Sequence, residues 1–334
     1  MSLQLLQLLL TSFLAFLLAL YGTPLAARAA LKFGIVDAPD GKLKRQREPV
    51  PYLGGLAVYL AFLLSLALVF QFDRRVLGIL LAGSIVLILG LIDDLGVLSP
   101  KEKLFGQLIA CFVLVKSGVL IEIAAVPAPV NLLLTYLWVV GVINAINIID
   151  VMDGLSAGVA LIAALFLGVV AQWNGEPMFA MLAAALIGSL LGFLRYNFHP
   201  AQIYLGDTGS MFVGLMLAAL SITGRYGGHR GIAWFAPILI LGIPLFDLVF
   251  VSLVRWWKGR PVLRGSPDHF ALRLSALGCS PRQVVILACA AGFLLGLVAL
   301  ANVLLGPPHS VWLLAAVGLC ALATTTILLR SEVK

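Results

Sequence analysis

Charge is what this sequence has least of. Of its 334 residues only 11% are charged, while 62% are hydrophobic; soluble domains carry about a quarter charged residues and about half apolar ones. A water-soluble globule is therefore excluded, and a membrane protein is selected. Cysteine is also sparse. Cys111, Cys289 and Cys320 fall within apolar runs and Cys279 in a basic loop, which excludes a disulfide framework and leaves all four as packing residues. No lysine or arginine precedes Arg28, so the first apolar run lacks the basic start of a signal peptide, although Leu25 to Ala30 has small-residue spacing like a cleavage site. That run reads as an anchor. Internal repeats and the inverted symmetry of many transporters are absent. So is any basic groove interleaved with aromatics, and the net charge of +7 is not a nucleic-acid footprint.

What is present is a series of long apolar runs. About 20 apolar residues cover the ~30 Å of bilayer hydrocarbon. Roughly eleven runs qualify, near 3–22, 53–70, 76–92, 104–123, 130–147, 155–172, 178–194, 208–223, 232–254, 284–305 and 309–329. Numbering them with the N-terminus outside puts seventeen of the 22 basic residues in cytoplasmic segments and four, Arg74, Arg75, Arg225 and Arg230, outside. This bias predicts an all-α polytopic protein with about 11 transmembrane helices, N-terminus outside and C-terminus cytoplasmic. Residues 1–334 read as one integral-membrane catalytic domain whose site lies on the cytoplasmic face. The outside loops are short, and nearly all the polar chemistry lies in the inside ones.

Carboxylates gather at the cytoplasmic helix ends. Asp93 and Asp94 close the third span at a helix C-terminus, where the dipole disfavours negative charge unless a cation or donor compensates. Adjacent helical residues point about 100° apart, so the two predict two different roles. Asn144, Asn147, Asp150 and Asp153 recur every three residues before Gly154 and form one polar stripe. Hard oxygens so arranged suit Mg²⁺. Asp207 opens the eighth span, where an N-terminal cap is the bland alternative. Arg195, Asn197 and His199 lie just upstream as donors for phosphate. Lys42 and Lys44 fall in the first inside loop, and Arg264, His269 and Arg273 in the loop between the ninth and tenth spans. Carboxylates that hold a metal beside cations that clamp phosphate are the equipment of phosphoryl transfer.

These strings resemble the polyprenyl-phosphate N-acetylhexosamine-1-phosphate transferase family. The likeness runs from about Gly34 to Gly278 and rests on Leu91-Ile92-Asp93-Asp94 through Gln107, on Asn144 to Gly154, and on Tyr196 to Ser210. The run from Tyr196 to Ala201 looks like the branch that transfers N-acetylglucosamine-1-phosphate, rather than phospho-MurNAc-pentapeptide translocase. The resemblance implies a UDP-N-acetylhexosamine and a polyprenyl phosphate as substrates, UMP as product, and Mg²⁺ as cofactor, with Mn²⁺ as the alternative ion. It implies Asn147 and Asp207 as metal ligands and Asp93 and Asp94 as the catalytic acidic pair. It implies Asp150, Asp153 and Lys103 at the substrate site, and Asn144, on the same stripe, is read as a substrate contact beside them. Where relatives carry His-x-His-His, this chain has His269-Phe270-Ala271-Leu272. The reading expects Arg273, one turn after His269, to replace the missing charge on the donor's pyrophosphate.

The expected place of work is the bacterial cytoplasmic (inner) membrane, in contact with membrane lipid and without nucleic acid, with a homodimer as the candidate assembly. The rival reading is a transporter or lipid-phosphate flippase. Discontinuous helices meeting at mid-membrane would mark it, and the polar residues gather at one face instead.

Overall fold

The computed structural model of the protein describes residues 3–37, 49–67, 72–224, 233–259, 268–305 and 307–331. Among them the chain forms thirteen α-helices, one 3-10 turn and one two-stranded ribbon. The helices are α1 (Leu3–Phe33), α2 (Gly54–Ala67), α3 (Arg74–Asp94), α4 (Pro100–Ser117), α5 (Ala128–Ile148), α6 (Leu155–Trp173) and α7 (Pro177–Asn197). They continue with α8 (Gly206–Thr223), α9 (Ala236–Ile240), α10 (Gly242–Trp257), α11 (Phe270–Ala276), α12 (Pro281–Leu305) and α13 (Pro307–Leu329). Eight of these, α1, α3, α5, α6, α7, α8, α12 and α13, are long and apolar enough to cross a membrane. The chain is a multi-pass helical membrane protein.

Each expected run carries a helix, but not always one span. The run at 232–254 is divided. Pro244 has no N–H to offer the Ile240 carbonyl, and Leu241, capping α9, turns its N–H to Pro237. The run therefore breaks into a 3-10 turn, α9 and α10. The fourth run shifts toward its N-terminus. Ser99 and Glu102 form a reciprocal capping box that starts α4 at Pro100, and Gly118, at φ 93°, ends it where 104–123 was expected. α1 runs on past the expected 3–22, with Pro24 inside it.

α8 is the buried axis. Its sequence is rich in Gly, Ser and Ala, which lets neighbouring backbones come close, the usual basis of helix contact in lipid. A Cβ on Gly55 of α2 would overlap the Gly209 backbone, and one on Gly90 of α3 would overlap the Asp207 carbonyl. One on Gly214 would lie 2.7 Å from the Ile143 Cα of α5. α8 thus sits between α2, α3 and α5 with its first turn pinned. A second seam joins α1 to α7. Thr11, Ala15, Ala19 and Thr23 recur every four residues on the buried stripe of α1, against Gly188 and Gly192.

The bundle has two distinct polar ends. At one, Gln4 meets Gln172, Arg74 donates to the Lys116 carbonyl, and Arg75 pairs with Glu176. At the other lie the C-terminal ends of α3, α5 and α7 and the N-terminal end of α8. There β1 (Val36–Asp37) pairs antiparallel with β2 (Val50–Pro51), Val36 opposite Pro51. The Gly54 and Gly55 amides donate to the carbonyls of Tyr204 and Leu205, and Tyr204 donates to Pro51, stitching the ribbon to the approach to α8.

The α1–α7 seam is testable. Gly188→Leu must push α1 off α7, and overpacking of this kind costs roughly 1–3 kcal/mol. We expect its thermal midpoint in detergent to fall by several degrees, while Gly141→Ala, with nothing near its Cβ, leaves the midpoint unchanged. Equal midpoints for the two variants would show that the seam does not hold the bundle.

Candidate active site

The site grows from a conflict of dipoles. α3 and α5 both end here with carboxylates or amides at their negative ends, while α8 begins here with free N–H groups. Asp94 resolves part of the conflict by crossing to α8. Its Oδ1 accepts from the Asp207 N–H at 2.7 Å, and its Oδ2 from the Thr208 N–H at 3.0 Å and the Thr208 hydroxyl at 2.6 Å. Gly206, at φ 70°, brings α8 in so close that a Cβ would lie 2.7 Å from Asp94 Oδ2. Asp94 is therefore the cap of α8, supplied from another helix.

Its neighbour Asp93 faces elsewhere, toward Lys103 of α4. The Lys103 ammonium lies 2.6 Å from Asp93 Oδ2, 2.6 Å from Asp207 Oδ2 and 3.1 Å from Asn147 Oδ1. Asn147 donates through Nδ2 to Asp207 Oδ1 at 2.7 Å and to Ser210 Oγ at 2.8 Å. Those two acceptors settle which end of the amide is nitrogen and leave its oxygen facing the ammonium. Four helices, α3, α4, α5 and α8, thus meet at one cationic point surrounded by oxygens.

Beside this node lies a cavity of about 510 Å³, within the usual size range of small-molecule sites. Six aspartates line it: Asp37, Asp93, Asp94, Asp150, Asp153 and Asp207. Asp153 accepts from the Ala201 N–H at 3.0 Å and pairs with His199 Nδ1 at 2.8 Å. The Asp150 N–H donates to the Asn147 carbonyl, and among the described residues its carboxylate meets no hydrogen-bond donor. Burial and the charges of Asp207, Asp94 and Asp153 push its carboxyl up to about 8, so it keeps a proton at neutral pH until positive charge arrives. Burial also pushes the Tyr204 phenol up to about 12, helped by Asp153, Asp37 and Asp150. Tyr52 is raised by burial and by its hydrogen bond to Asp37. Asn197 is buried and spans two loops, accepting from the Gly154 N–H at 3.0 Å and donating to the Ile203 carbonyl at 3.0 Å.

These residues fit a hard divalent cation. Asp207 Oδ2 and Asn147 Oδ1 already converge on the positive charge of Lys103, and both are oxygen donors of the type Mg²⁺ prefers. Among the described residues no three His, Cys, Asp or Glu side chains lie close enough to enclose a metal. An ion held by Asp207 and Asn147 would therefore complete its shell with water and substrate oxygens, the usual habit of Mg²⁺.

Of the residues singled out in the sequence, Asp93, Asp94, Lys103, Asn147, Asp150, Asp153, Asn197 and Asp207 come together here. Asn144 lies one turn deeper, against Gln107. Arg195 stands exposed at the last turn of α7, over the Tyr196 ring and outside the cavity lining. His269 and Arg273 are outside that lining as well. His269 caps α11 and pairs with buried Asp247 at 2.8 Å. The proposed clamp at Arg273 meets a guanidinium already used inside the protein: Nη2 donates to Asp268 at 2.7 Å, and Nη1 to the Leu328 and Ser331 carbonyls at 2.9 and 2.6 Å. With 3% of its side chain exposed, Arg273 has no free fork for a phosphate. Lys42, Lys44 and Arg264 lie outside the described residues. Asp37, Tyr52, Tyr204, Thr208 and Ser210 went unremarked as site residues. Thr208 and Ser210 had a sequence signal in their place beside Asp207, and Tyr204 in its place within the string from Tyr196 to Ser210.

Comparison with known proteins places the chain among membrane sugar-phosphate transferases. Residues 76–225 match the model of glycosyl transferase family 4. The chain is 34% identical over 287 residues to a Bacillus subtilis protein named probable undecaprenyl-phosphate N-acetylglucosaminyl 1-phosphate transferase, covering 83% of this chain and 80% of that one. It is 33% identical over 317 residues to the decaprenyl-phosphate N-acetylglucosaminephosphotransferase of Mycobacterium leprae, with 81% and 80% covered. It is 36% identical over 270 residues to the phospho-N-acetylmuramoyl-pentapeptide-transferase of Caldanaerobacter subterraneus, with 73% and 82% covered.

The division of labour between the paired aspartates is measurable without substrate. Asp94→Ala strips three hydrogen bonds from the start of α8, and bonds to a charged acceptor are worth roughly 1.5–3 kcal/mol. We expect a clear fall in its thermal midpoint in detergent, while Asp93→Asn, which keeps an oxygen toward Lys103, melts like the parent. A midpoint for Asp94→Ala equal to that of Asp93→Asn would overturn the capping role.

Proposed function

This chain belongs to glycosyl transferase family 4, and on that footing we propose that it transfers N-acetylhexosamine-1-phosphate from a UDP-sugar to a polyprenyl phosphate, releasing UMP. N-Acetylglucosamine is the proposed sugar, since the relatives in Bacillus and Mycobacterium are named for it. The observation that carries the reading is the meeting of Asp93, Lys103, Asn147 and Asp207 at one end of the bundle, on the edge of the cavity. The described carboxylates of this node gather at one end of the bundle, whereas a transporter's discontinuous helices would bring polar groups together halfway along it.

In the proposed reaction an oxygen of the lipid phosphate bonds to the β-phosphorus of the donor. The bond from that phosphorus to the bridging oxygen breaks, and UMP leaves with the electron pair. Positioning and charge neutralisation dominate such a step. Asp93 borders the cavity and is the group placed to hold a proton of the acceptor phosphate. Lys103 supplies fixed positive charge between Asp93 and Asp207. A Mg²⁺ or Mn²⁺ ion on Asn147 and Asp207 would neutralise pyrophosphate oxygens. The charged aspartates of the cavity would otherwise repel two phosphorylated substrates, and this supports the dependence on a divalent ion. Asp153 and Asn197, held by backbone and histidine partners, form the wall proposed for the nucleotide.

The proposed setting is the cytoplasmic membrane of a bacterium with the cavity facing the cytosol. The positive-inside rule assigns most basic residues of the sequence to cytoplasmic segments, and among the described ones Lys101, Lys103, Arg195 and Arg282 lie at the cavity end, which supports this setting.

Two measurements test this reading. Purified protein in detergent should release UMP from UDP-N-acetylglucosamine only with polyprenyl phosphate and Mg²⁺ present. Loss of an outer-shell partner of a metal costs about 10–100-fold, so Asp207→Asn and Asn147→Ala should lose at least the upper figure while remaining folded. Near-normal turnover and Mg²⁺ dependence in Asp207→Asn would reduce Asp207 to a helix cap. The second concerns sidedness. On a background lacking the other cysteines, Ala125→Cys in the exposed loop before α5 should react with an impermeant thiol reagent in intact cells, and native Cys279 should not. The opposite pattern would put the cavity on the side without UDP-sugars.

A further inference from the structure

One turn deeper than the catalytic node, the seam between α4 and α5 holds a second polar pair. Gln107 follows Lys103 by four residues on α4, and Asn144 precedes Asn147 by three on α5, so each stands beneath its partner on the same helical face. Asn144 Nδ2 donates to Gln107 Oε1 at 2.8 Å and to the Val140 carbonyl at 2.8 Å, and Gln107 Nε2 returns a long bond to Asn144 Oδ1 at 3.5 Å. Gln107 is 1% exposed, and neither residue lines the cavity. The next buried residues of α4, Ala110, Cys111 and Leu114, are apolar or nearly so. Gln107 is buried and Asn144 half-buried in this helix seam, and amides so placed are costly unless they satisfy each other.

We infer that Gln107 and Asn144 are positioning residues for the phosphoryl-transfer node, acting through Lys103 and Asn147 and touching no substrate. Apolar packing tolerates small slips of one helix along another, whereas a reciprocal amide pair sets both height and rotation. A slip of one residue moves a side chain by 1.5 Å along the axis and 100° around it. Lys103 has no such latitude, because its ammonium must meet oxygens from α3, α5 and α8 at once. The amide pair is the lower rung of a two-rung ladder whose upper rung is the Lys103–Asn147 contact. This reassigns Asn144 from substrate contact to support of its own helix. The inference rests on the transfer reaction proposed above for what the node does.

The test uses full-length protein carrying Gln107→Leu, Asn144→Leu, both together, and the swap Gln107→Asn with Asn144→Gln, which preserves the combined length. In metal-free detergent solution, each single Leu variant should melt below the parent, and the double variant should melt no lower than the worse single one, because neither amide is then left unpaired. In the UMP-release assay, kcat should fall roughly ten- to hundredfold in the single variants, the scale of a displacement near 1 Å. The KM for the UDP-sugar should stay within about twofold, and the swap should recover most of kcat. The inference fails if Gln107→Leu keeps parental kcat, or if the swap restores the melting midpoint but leaves kcat at the level of the single variants. It fails equally if the loss appears in KM alone, which would make the pair part of the donor site. If the parent itself releases no UMP, the transferase reading falls, and the melting cycle still decides whether the two amides are coupled.

Discussion

A single lysine holds this structure's polar end together. Helices in lipid approach through small residues and dispersion, and the glycine contacts of α8 supply that part of the fold without reference to charge. Yet they bring six aspartates to one cavity, two of them at the negative end of α3. Without a central cation the Asp93 carboxylate of α3 and the Asp207 carboxylate of α8 would repel. The Lys103 ammonium, shared between Asp93 and Asp207, removes the worst of that repulsion. Asp94 removes more by spending its charge on the N–H groups of α8, where a carboxylate belongs. The site is thus assembled by opposed dipoles: α3 contributes the acid, α8 the donors, and α4 the positive charge.

Much of this was legible in the residues. The three-residue spacing of Asn144, Asn147, Asp150 and Asp153 marked a polar stripe, and the crowding of carboxylates at helix ends marked the end of the bundle that holds the cavity. What could not be read was how neighbours divide their tasks. Asp93 and Asp94 are chemically identical, and only the path of α8 makes one a cap and the other the partner of Lys103. Asn144 and Asn147 share a stripe, yet one meets Gln107 across a buried seam and the other meets Asp207. Spacing along one helix says which residues share a face and nothing about what stands opposite.

The misreadings have equally physical origins. Hydropathy takes 232–254 as one span because it averages over side chains and does not register a missing backbone N–H at Pro244. Arg273 looked like a phosphate ligand because it is basic and near His269. In the structure it is buried and ties Asp268 to the last carbonyls of α13. A charged residue in a basic loop can serve the loop's own architecture. The segment His269–Arg273 is held by Asp247 and Asp268.

The reach of Asp94 also bears on the order in which the molecule is made. Its partners on α8 lie 113 and 114 residues further along the chain, roughly 5–20 seconds of synthesis at ribosomal speed. For that interval α3 stands in the bilayer with two carboxylates at its end and no α8 to receive them. Lys103 emerges within ten residues of both, on the very next helix. The cation that later sits at the centre of the node is therefore made long before α8, and the cavity becomes complete only when the eighth helix arrives to claim Asp94.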